Sequence, residues 1–386
     1  MMQAHSSTSS SDFGSGQARR KRSRFRSALW FGAGVLVVMA GFELVVAAKF
    51  SMGLNDREPS GSLERFFSYG YSTEAKLDRS VGGEDQEPTN IVKAGWVPTE
   101  LYPAMEEWIA ADQQLIFYGM SFSNRVAREL GEFDPTLGIL TRAGPGAPLS
   151  HSMALFHADP WRSQADIVVV GVLSSSLPYM QGMTGLGYTP ESPAPYAYPK
   201  YTLVDGALVE TMPPIMERDQ FVEAFRGQGG AWDGQLASFQ EHDAYWDAFA
   251  LKRSITDRSA MARLVRRAWA SRKIGQVAKN VYTQKSGYKT EHPVMSAVPE
   301  ILTTMHEQCQ TDGQRLVVLL LHARNEPGHL DTWLSDRLTD QGIGVVSTVD
   351  LFRSTDAQNF LGDGHFQRQN DRLIAQAVHD LINAID

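Results

Sequence analysis

The segment LIFYGMSFSN, residues 115–124, joins a short apolar run to a polar turn. Its first four residues show no polar alternation, which is typical of a strand buried on both faces of a parallel sheet. Gly119 permits a tight turn, and the apolar spacing of Val126–Leu130 indicates a helix. The segment therefore predicts a strand, a turn and a helix, the repeating unit of an α/β fold.

Four further apolar runs have the same character, namely Leu137–Leu140, Ile167–Leu173, Leu316–Leu321 and Ile343–Val349. The chain ends on an amphipathic helical pattern formed by Leu373, Ile374, Ala377, Val378, Leu381 and Ile382. Alternating strands and helices predict a doubly wound parallel sheet of about five strands between two helix layers, a three-layer sandwich.

A long insertion at about 180–305 separates the third strand from the fourth. Its first part, through Tyr201, is rich in Gly, Pro and Tyr and predicts an irregular loop. Its second part, about 236–284, predicts one or two helices that carry Arg258, Arg263, Arg266, Arg267, Arg272 and Lys273. A solvated basic face is the default interpretation, and contact with an anionic polymer or lipid headgroups is the alternative.

The N-terminus predicts a membrane anchor. Residues 1–27 form a basic tail expected to be disordered, and residues 28–48 are apolar apart from Glu43, which we interpret as a tolerated boundary charge. Twenty-one helical residues span about 31 Å, close to the hydrocarbon thickness of a bilayer. The basic flank predicts a cytoplasmic N-terminus and an extracytoplasmic, periplasmic domain.

Val46-Ala47-Ala48 also resembles a signal-peptide cleavage site, so removal of the segment is the alternative to a retained anchor. Residues 49–97 are rich in Gly, Ser, Pro and charge and predict a linker with one docked aromatic segment at 66–71. The α/β domain is then expected over 98–386.

Charge and cysteine content exclude several classes of protein. The net charge is −8, and because residues 1–50 carry seven basic and two acidic residues, the rest carries about −13. Such an acidic body argues against nucleic acid as a partner. Cys309 is the single cysteine, so an intrachain disulfide and paired thiolate metal ligands are excluded.

Polar residues follow the strands at the sheet edge where ligands bind in open parallel sheets. Ser121 follows the first strand and is either a nucleophile or a helix N-cap. Gly144 and Gly146 follow the second strand in a Gly-Pro-Gly loop, whose N–H groups are suited to an oxyanion or form a plain turn. Ser174-Ser175-Ser176 follow the third, as hydroxyl donors or as turn residues.

Asp363-Gly364-His365 precedes the last helix. A serine nucleophile needs a base to accept its proton and an acid to orient that base, and this loop supplies both. The alternative is a polar turn with an Asp cap. Suitable groups at three strand ends and in this loop together favour an active site.

At these residues the chain resembles the SGNH or GDSL hydrolase superfamily over 115–386, with the 180–305 insertion outside the resemblance. Gly119-Met120-Ser121 matches the Gly-Asp-Ser motif except at its middle residue. The resemblance implies Ser121 as nucleophile, Asp363 and His365 as the other triad members, and Gly144 or Gly146 in the oxyanion hole. Members of this type modify exported polysaccharides.

Two positions depart from the family pattern. Met120 replaces an aspartate that is structural in the family, and serines, Ser175 among them, stand where the family has an oxyanion asparagine. Loss of that donor weakens oxyanion binding by about 2–4 kcal/mol unless a serine hydroxyl or Asn124 replaces it.

Other residues are weaker candidates. His322 follows the fourth strand and is a candidate substrate contact or alternative base, whereas packing is the better interpretation of His151 and His157. The insertion carries Tyr188, Tyr196, Tyr198 and Tyr201, which either stack on sugars or pack internally. No histidine pair has the spacing of a helix-borne zinc site, so we expect no metal and no cofactor.

The sequence thus predicts a membrane-anchored serine esterase or acyltransferase acting on ester groups of an exported carbohydrate polymer, or on another acylated substrate. Membrane proteins of polysaccharide assembly are candidate partners. The alternative is an inactive SGNH-like domain that binds polysaccharide or organises its secretion.

Overall fold

The computed structural model describes residues 15–50, 66–97 and 106–384, with side chains for 27–46, 66–97 and 108–384. Elements are numbered in chain order. The strands are β1 Gln113–Gly119, β2 Leu137–Ala143, β3 Ile167–Leu173, β4 Lys200–Val204, β5 Ala207–Thr211, β6 Tyr282–Thr283, β7 Gly287–Tyr288, β8 Arg315–Leu321 and β9 Gly344–Ser347.

The helices of the N-terminal half are α1 Ser15–Phe50, α2 Thr73–Val81, α3 Asn90–Lys93, α4 Glu106–Ile109, α5 Ser121–Phe133, α6 Leu149–Ala158 and α7 Gly185–Tyr188. Those of the C-terminal half are α8 Arg218–Gly227, α9 Gly230–His242, α10 Ala248–Leu251, α11 Ala260–Val281, α12 Pro293–Thr311, α13 His329–Asp340 and α14 Arg368–Ala384.

A five-stranded parallel sheet in the order β2-β1-β3-β8-β9 forms the centre of the domain. Each of the five predicted apolar runs coincides with one of these strands, although the run Ile343–Val349 extends beyond β9 at both ends. The reversal of strand order between β1 and β3 is that of a doubly wound α/β sheet, in which ligands bind outside the carboxyl ends of the strands at the reversal. The predicted fold class is confirmed.

Alternate residues of the central strands face two separate helix layers. Leu115 and Phe117 of β1 pack in one apolar cluster with α5 and α14, while Ile116 and Tyr118 pack in the other with α6, α12 and α13. Both faces of the sheet are therefore buried, which explains why the strands read as continuous apolar runs. The sequence analysis predicted this sandwich.

The insertion is more ordered than predicted. Residues expected to form an irregular loop instead form a 3₁₀ helix at Ser174–Gln181, α7 and the start of the β4–β5 hairpin, and most of them are buried. The part predicted to be helical contains α9, α10 and α11. Helix α8, which precedes it, was not predicted. Apolar contacts with the central domain, absent from any local pattern, account for the difference.

The predicted linker is also partly wrong. Leu77 and Val81 of α2, Val92 of α3 and Trp96 are buried in the same cluster as α5, so residues 73–96 belong to the domain. The polar composition of the segment concealed this because only the buried face of each short helix is apolar. The remaining linker residues 51–65 and the first predicted domain residues 98–105 lie outside the described residues.

Helix α1 contains the predicted membrane segment. Residues Ser27–Val46 are long and apolar enough to cross a membrane, and nearly all of their side chains are exposed. The predicted tail differs from the structure, since α1 begins at Ser15 and takes in residues 15–27; residues 1–14 lie outside the described part.

Candidate active site

Ser121 and His365 meet at the carboxyl end of β1. Ser121 is the first residue of α5, and its Oγ lies 2.7 Å from His365 Nε2. The hydroxyl therefore has a base within hydrogen-bond distance and does not act as an N-cap, a position held by Met120.

Asp363 lies on the other side of the imidazole. Its Oδ2 is 3.1 Å from His365 Nδ1, and its Oδ1 accepts a hydrogen bond from the His365 backbone N–H at 3.1 Å. Hydrogen bonding from that N–H lowers the pKa of Asp363, which favours the carboxylate. The structure thus brings Ser121, His365 and Asp363 together, with the imidazole between the hydroxyl and the carboxylate.

A tight turn presents the Asp-Gly-His segment. Gly364 has φ of +92°, a conformation that favours glycine, and Leu361 N–H donates to His365 O at 2.7 Å. Phe360 and Phe366 bridge the two arms of the turn. Asp363 and His365 therefore lie on a closed loop, although the Asp363 side chain is 65% exposed.

Two contacts that the sequence analysis missed hold α5 against this loop. The Phe122 ring stacks on the His365 imidazole with centroids 4.6 Å apart. Arg125 Nε donates to Asp371 Oδ2 at 2.8 Å, and its guanidinium also donates to Phe366 O at 3.0 Å. Burial raises the pKa of Asp371 against the effect of Arg125. Spacing along the chain gives no signal for contacts between residues more than 240 positions apart.

Two glycines allow α5 to approach the sheet closely. A Cβ at Gly119 or Gly171 would lie 2.2 Å or 1.9 Å from Ser123 Oγ, so any larger residue would push the helix away. Ser123 is buried, as is Met120, which packs in the apolar cluster on the α5 side of the sheet. Met120 is therefore an apolar core residue between Gly119 and Ser121, and apolar packing fixes this turn.

The two glycines suggested for the oxyanion hole, Gly144 and Gly146, differ in whether their N–H groups are engaged. The Gly144 N–H donates to Gly119 O at 3.2 Å, and a Cβ at Gly144 would lie 2.8 Å from the His151 ring, so this glycine has a structural role. Gly146 is half-buried with φ of +68°, and its N–H donates to no group within the described chain. Gly146 is the better oxyanion candidate of the two, and its role stays a prediction.

The three serines after β3 differ in their surroundings. Ser174 Oγ accepts a hydrogen bond from Ala323 N–H at 2.9 Å, and Ser176 Oγ donates to Leu173 O at 2.9 Å. Ser175 is exposed. Its hydroxyl is the one of the three that remains available, and its predicted role in the oxyanion hole is untested.

His322 does not suit the role suggested for it. Its side chain is buried, its Nδ1 lies 2.9 Å from Thr348 Oγ1, and its Nε2 lies 3.6 Å from Glu326. Burial lowers the pKa of His322. An enclosed imidazole cannot contact a polymer, and His365, rather than His322, lies within hydrogen-bond distance of Ser121 Oγ. Asn124, exposed in the first turn of α5, remains a candidate contact.

The four tyrosines singled out in the insertion are buried, which excludes the sugar-stacking interpretation. Tyr188 OH lies 3.2 Å from the hydroxyls of Tyr196 and Tyr198, and Tyr196 OH donates to Pro145 O in the Gly-Pro-Gly loop. Tyr201 is buried too, with its OH donating to Glu210. Tyr196, in contact with Tyr188, thus supports the loop after β2.

His151 supports the same loop. It is fully buried, with its Nε2 lying 2.6 Å from Gly95 O, which confirms the packing role. His157 is exposed at the end of α6. Within the described residues, no group of His, Cys, Asp and Glu side chains has a metal-binding arrangement.

Comparison with known proteins gives limited similarity. No family model and no curated protein matches the chain. A Bacteroides fragilis structure, provisionally assigned as an acylhydrolase, aligns with 75% of this chain and 93% of its own, at 8% identity and a TM-score of 0.36. A Desulfitobacterium hafniense structure, provisionally assigned to the G-D-S-L lipolytic family, aligns with 69% and 98%, at 8% identity and a TM-score of 0.33.

The strand order, with Ser121 after β1 and with Asp363 and His365 before the last helix, defines the class. The chain has a doubly wound, three-layer α/β fold whose carboxyl strand edge brings a serine, a histidine and an aspartate together. It carries this fold behind one N-terminal helix long enough to span a membrane.

Proposed function

We propose that the protein is a membrane-anchored serine esterase or O-acyltransferase acting on O-acetyl esters of an extracytoplasmic polysaccharide. The observation that carries the proposal is the 2.7 Å contact between Ser121 Oγ and His365 Nε2, with Asp363 behind the imidazole. This is the arrangement that makes a serine hydroxyl nucleophilic near neutral pH.

In the first half-reaction Ser121 Oγ attacks the acyl carbonyl carbon and its proton passes to His365 Nε2. The tetrahedral intermediate collapses, the bond to the sugar oxygen breaks, and His365 returns the proton to that oxygen. The acyl group is then esterified to Ser121. In the second half-reaction water or another sugar hydroxyl attacks the ester, with His365 again accepting and returning one proton.

Negative charge on the carbonyl oxygen needs N–H or O–H donors in this scheme. The Ser121 N–H is the first of α5 and has no acceptor within the helix, and the helix N-terminus favours a developing anion. Gly146 N–H and Ser175 Oγ are the proposed further donors.

The polysaccharide substrate is supported by the resemblance and by the proposed location outside the membrane. A polymer substrate also fits a half-exposed site, since the carboxylate of Asp363 faces solvent.

A second candidate function is a catalytically silent domain in polysaccharide assembly. It is favoured by the engaged N–H of Gly144 and by the absence of an asparagine after β3.

Hydrolysis of an aryl acetate by the full chain in detergent distinguishes the two functions. We expect turnover by the native chain, a loss of about 10³-fold or more in Ser121→Ala, and no change in Ser192→Ala, an exposed serine of the insertion. Equal rates in all three proteins would exclude the esterase and leave the silent domain.

A further inference from the structure

The last turn of the apolar segment of helix α1 is joined to the start of α11 by a charged side chain. The Glu43 carboxylate accepts hydrogen bonds from Ser259 Oγ at 2.5 Å, from Ala260 N–H at 2.7 Å and from Met261 N–H at 2.8 Å. These N–H groups belong to the first turn of α11, where they have no acceptor within the helix and where negative charge is favoured. Glu43 therefore caps α11 from another element, and it is more than a tolerated boundary charge.

Apolar contacts reinforce this joint. Val46 of α1, Phe67 and Ala260 form a small buried cluster against which Leu264 packs. The rings of Phe42 and Phe67 lie 6.2 Å apart. The last turns of the apolar segment thus pack on the first turns of α11, so the domain is held at the end of α1.

The arginines of α11 divide between two faces. Arg266 is buried and donates to Asp257 Oδ1 at 2.6 Å and to Gly70 O at 3.1 Å, and Arg263 is buried over the Tyr71 ring. This corrects the interpretation of the helix as a uniformly solvated basic surface. Arg258, just before the helix, and Arg272 remain exposed.

The exposed side of α11 carries large apolar side chains. Val265 is 56% exposed and Trp269 is 51% exposed, at a spacing of four residues that places them on one face. Arg272 follows three residues later on the same face of α11. Arg258 lies in the 3₁₀ turn Ile255–Arg258, just before the first turn of α11, and is exposed. We call Val265, Trp269, Arg272 and Arg258 the α11 stripe.

We propose that the α11 stripe lies on the headgroup layer of the same bilayer that α1 crosses. Glu43 is three residues before the end of the apolar segment, or about 4.5 Å along the helix, so the first turn of α11 lies at the membrane boundary. A Trp with flanking Arg residues suits the interface between acyl chains and anionic headgroups.

The charge of the α11 stripe and its continuity with α1 indicate that the stripe contacts anionic lipid. The part of the chain beyond residue 50 is acidic overall, so two arginines beside exposed Val and Trp on the element joined to α1 mark a local site for anionic lipid. The domain would then keep a fixed orientation on the membrane. The proposal rests on α1 being a membrane span and is independent of esterase activity.

Spin labelling of the full chain tests this placement. The chain is reconstituted into vesicles of phosphatidylethanolamine and phosphatidylglycerol, with a nitroxide attached to Val265→Cys or to Gln376→Cys. Gln376 is exposed on α14, which packs on α5, and serves as the control. Cys309 is buried and burial raises its thiol pKa to about 12, so the native cysteine does not react.

The measured quantity is the ratio of label collisions with oxygen to label collisions with an aqueous nickel chelate. We expect this ratio to be at least about tenfold higher at position 265 than at position 376, because oxygen concentrates in lipid. In Glu43→Gln we expect that difference to fall at least about threefold, since a neutral amide caps a helix less strongly than a carboxylate.

Equal ratios at 265 and 376 in a chain that co-floats with the vesicles would overturn the proposal and leave the anchor intact. Failure to co-float would overturn both. Spin–spin broadening at 265 would identify a second copy of the chain as the occupant and overturn the lipid contact, and an unchanged ratio in Glu43→Gln would overturn the coupling through Glu43. Aryl acetate hydrolysis by the same samples reports separately on the proposed active site.

Discussion

Catalysis by the proposed site depends on two interatomic contacts, 2.7 Å between Ser121 Oγ and His365 Nε2 and 3.1 Å between His365 Nδ1 and Asp363 Oδ2. A serine after a strand and an Asp-Gly-His segment before the last helix predicted that these groups would meet. The oxyanion donors were less predictable, because the availability of an N–H depends on partners distant in sequence. The N–H of Gly144 donates to Gly119 O, and no local sequence pattern predicts this hydrogen bond.

Asp363→Asn tests the orienting role of the carboxylate. An amide can present its NH₂ group to His365 Nδ1 and so favour the tautomer that cannot accept the Ser121 proton. Because Asp363 is largely exposed, we expect a loss of about 10²-fold in kcat, at the low end for a general-base system. Asp336→Asn, exposed on α13, is the control. Equal kcat values for the two variants would contradict the orienting role.

His151 predicts a pH dependence of stability. Burial lowers its pKa to about 4, against about 6.5 in an unfolded chain. The unfolded chain therefore binds this proton more readily, and the contribution of His151 to stability is complete above pH of about 6.5 and is lost as the pH falls towards 4. Between pH 7 and pH 5 the loss is about 2 kcal/mol in the free energy of unfolding.

Urea unfolding of His151→Gln at pH 7 and pH 5 checks this effect. Glutamine does not titrate, so we expect a pH dependence smaller than that of the native chain by about 2 kcal/mol. His242→Gln, at a partly exposed position, should keep the native dependence. An undiminished pH dependence in His151→Gln would show that another group is responsible.

At the scale of elements, the five central strands were predictable because burial on both faces leaves a continuous apolar run. Helices α2 and α3 and the β4–β5 hairpin were not, since their stability comes from packing against the domain. The contact between α5 and α14 is of this kind too. Arg125 on one helix and Asp371 on the other form an ion pair, with Asp371 fully buried and Arg125 half-buried, that aligns the serine with the histidine loop.

Arg125→Met tests that alignment. It leaves Asp371 buried without its partner, and we expect a loss of about 3–5 kcal/mol in the free energy of unfolding. We also expect kcat to fall about tenfold in the folded protein, because Phe366 O loses its donor beside His365.

Arg128→Met is the matched control, since Arg128 lies on the same helix and is largely exposed, and its effect should stay within about 0.5 kcal/mol. Adding Asp371→Asn to Arg125→Met should recover part of the lost stability. Equal stabilities of the two single variants would contradict a structural role for the ion pair.

For the whole molecule, the sequence predicted an apolar segment, a domain and an insertion, but it could not predict how they join. From the sequence, Glu43 was interpreted as a tolerated boundary charge. Its carboxylate nevertheless caps α11, more than 200 residues further along the chain. The predicted linker extended too far towards the C-terminus, because residues 73–96 bury their apolar side chains in the domain. The amino-acid composition of a segment indicates only its average exposure, whereas these contacts depend on the tertiary structure.

Retention and sidedness of α1 are testable on the intact chain. The six basic residues between Arg19 and Arg26 predict that an N-terminal tag stays in the cytoplasm and on the same polypeptide as the domain. Protease added outside spheroplasts should digest the domain and leave the tag. A mature protein that lacks the tag would instead show cleavage near Ala48.

Labelling of the full chain by a fluorophosphonate probe tests the central claim most directly, because the probe reacts with a serine only when a neighbouring base activates it. We expect one adduct, mapped by peptide mass spectrometry to Ser121, absent in Ser121→Ala and slowed at least about 10²-fold in His365→Gln. An unlabelled native chain, or an adduct that persists in Ser121→Ala, would contradict the assignment of Ser121 as an activated nucleophile.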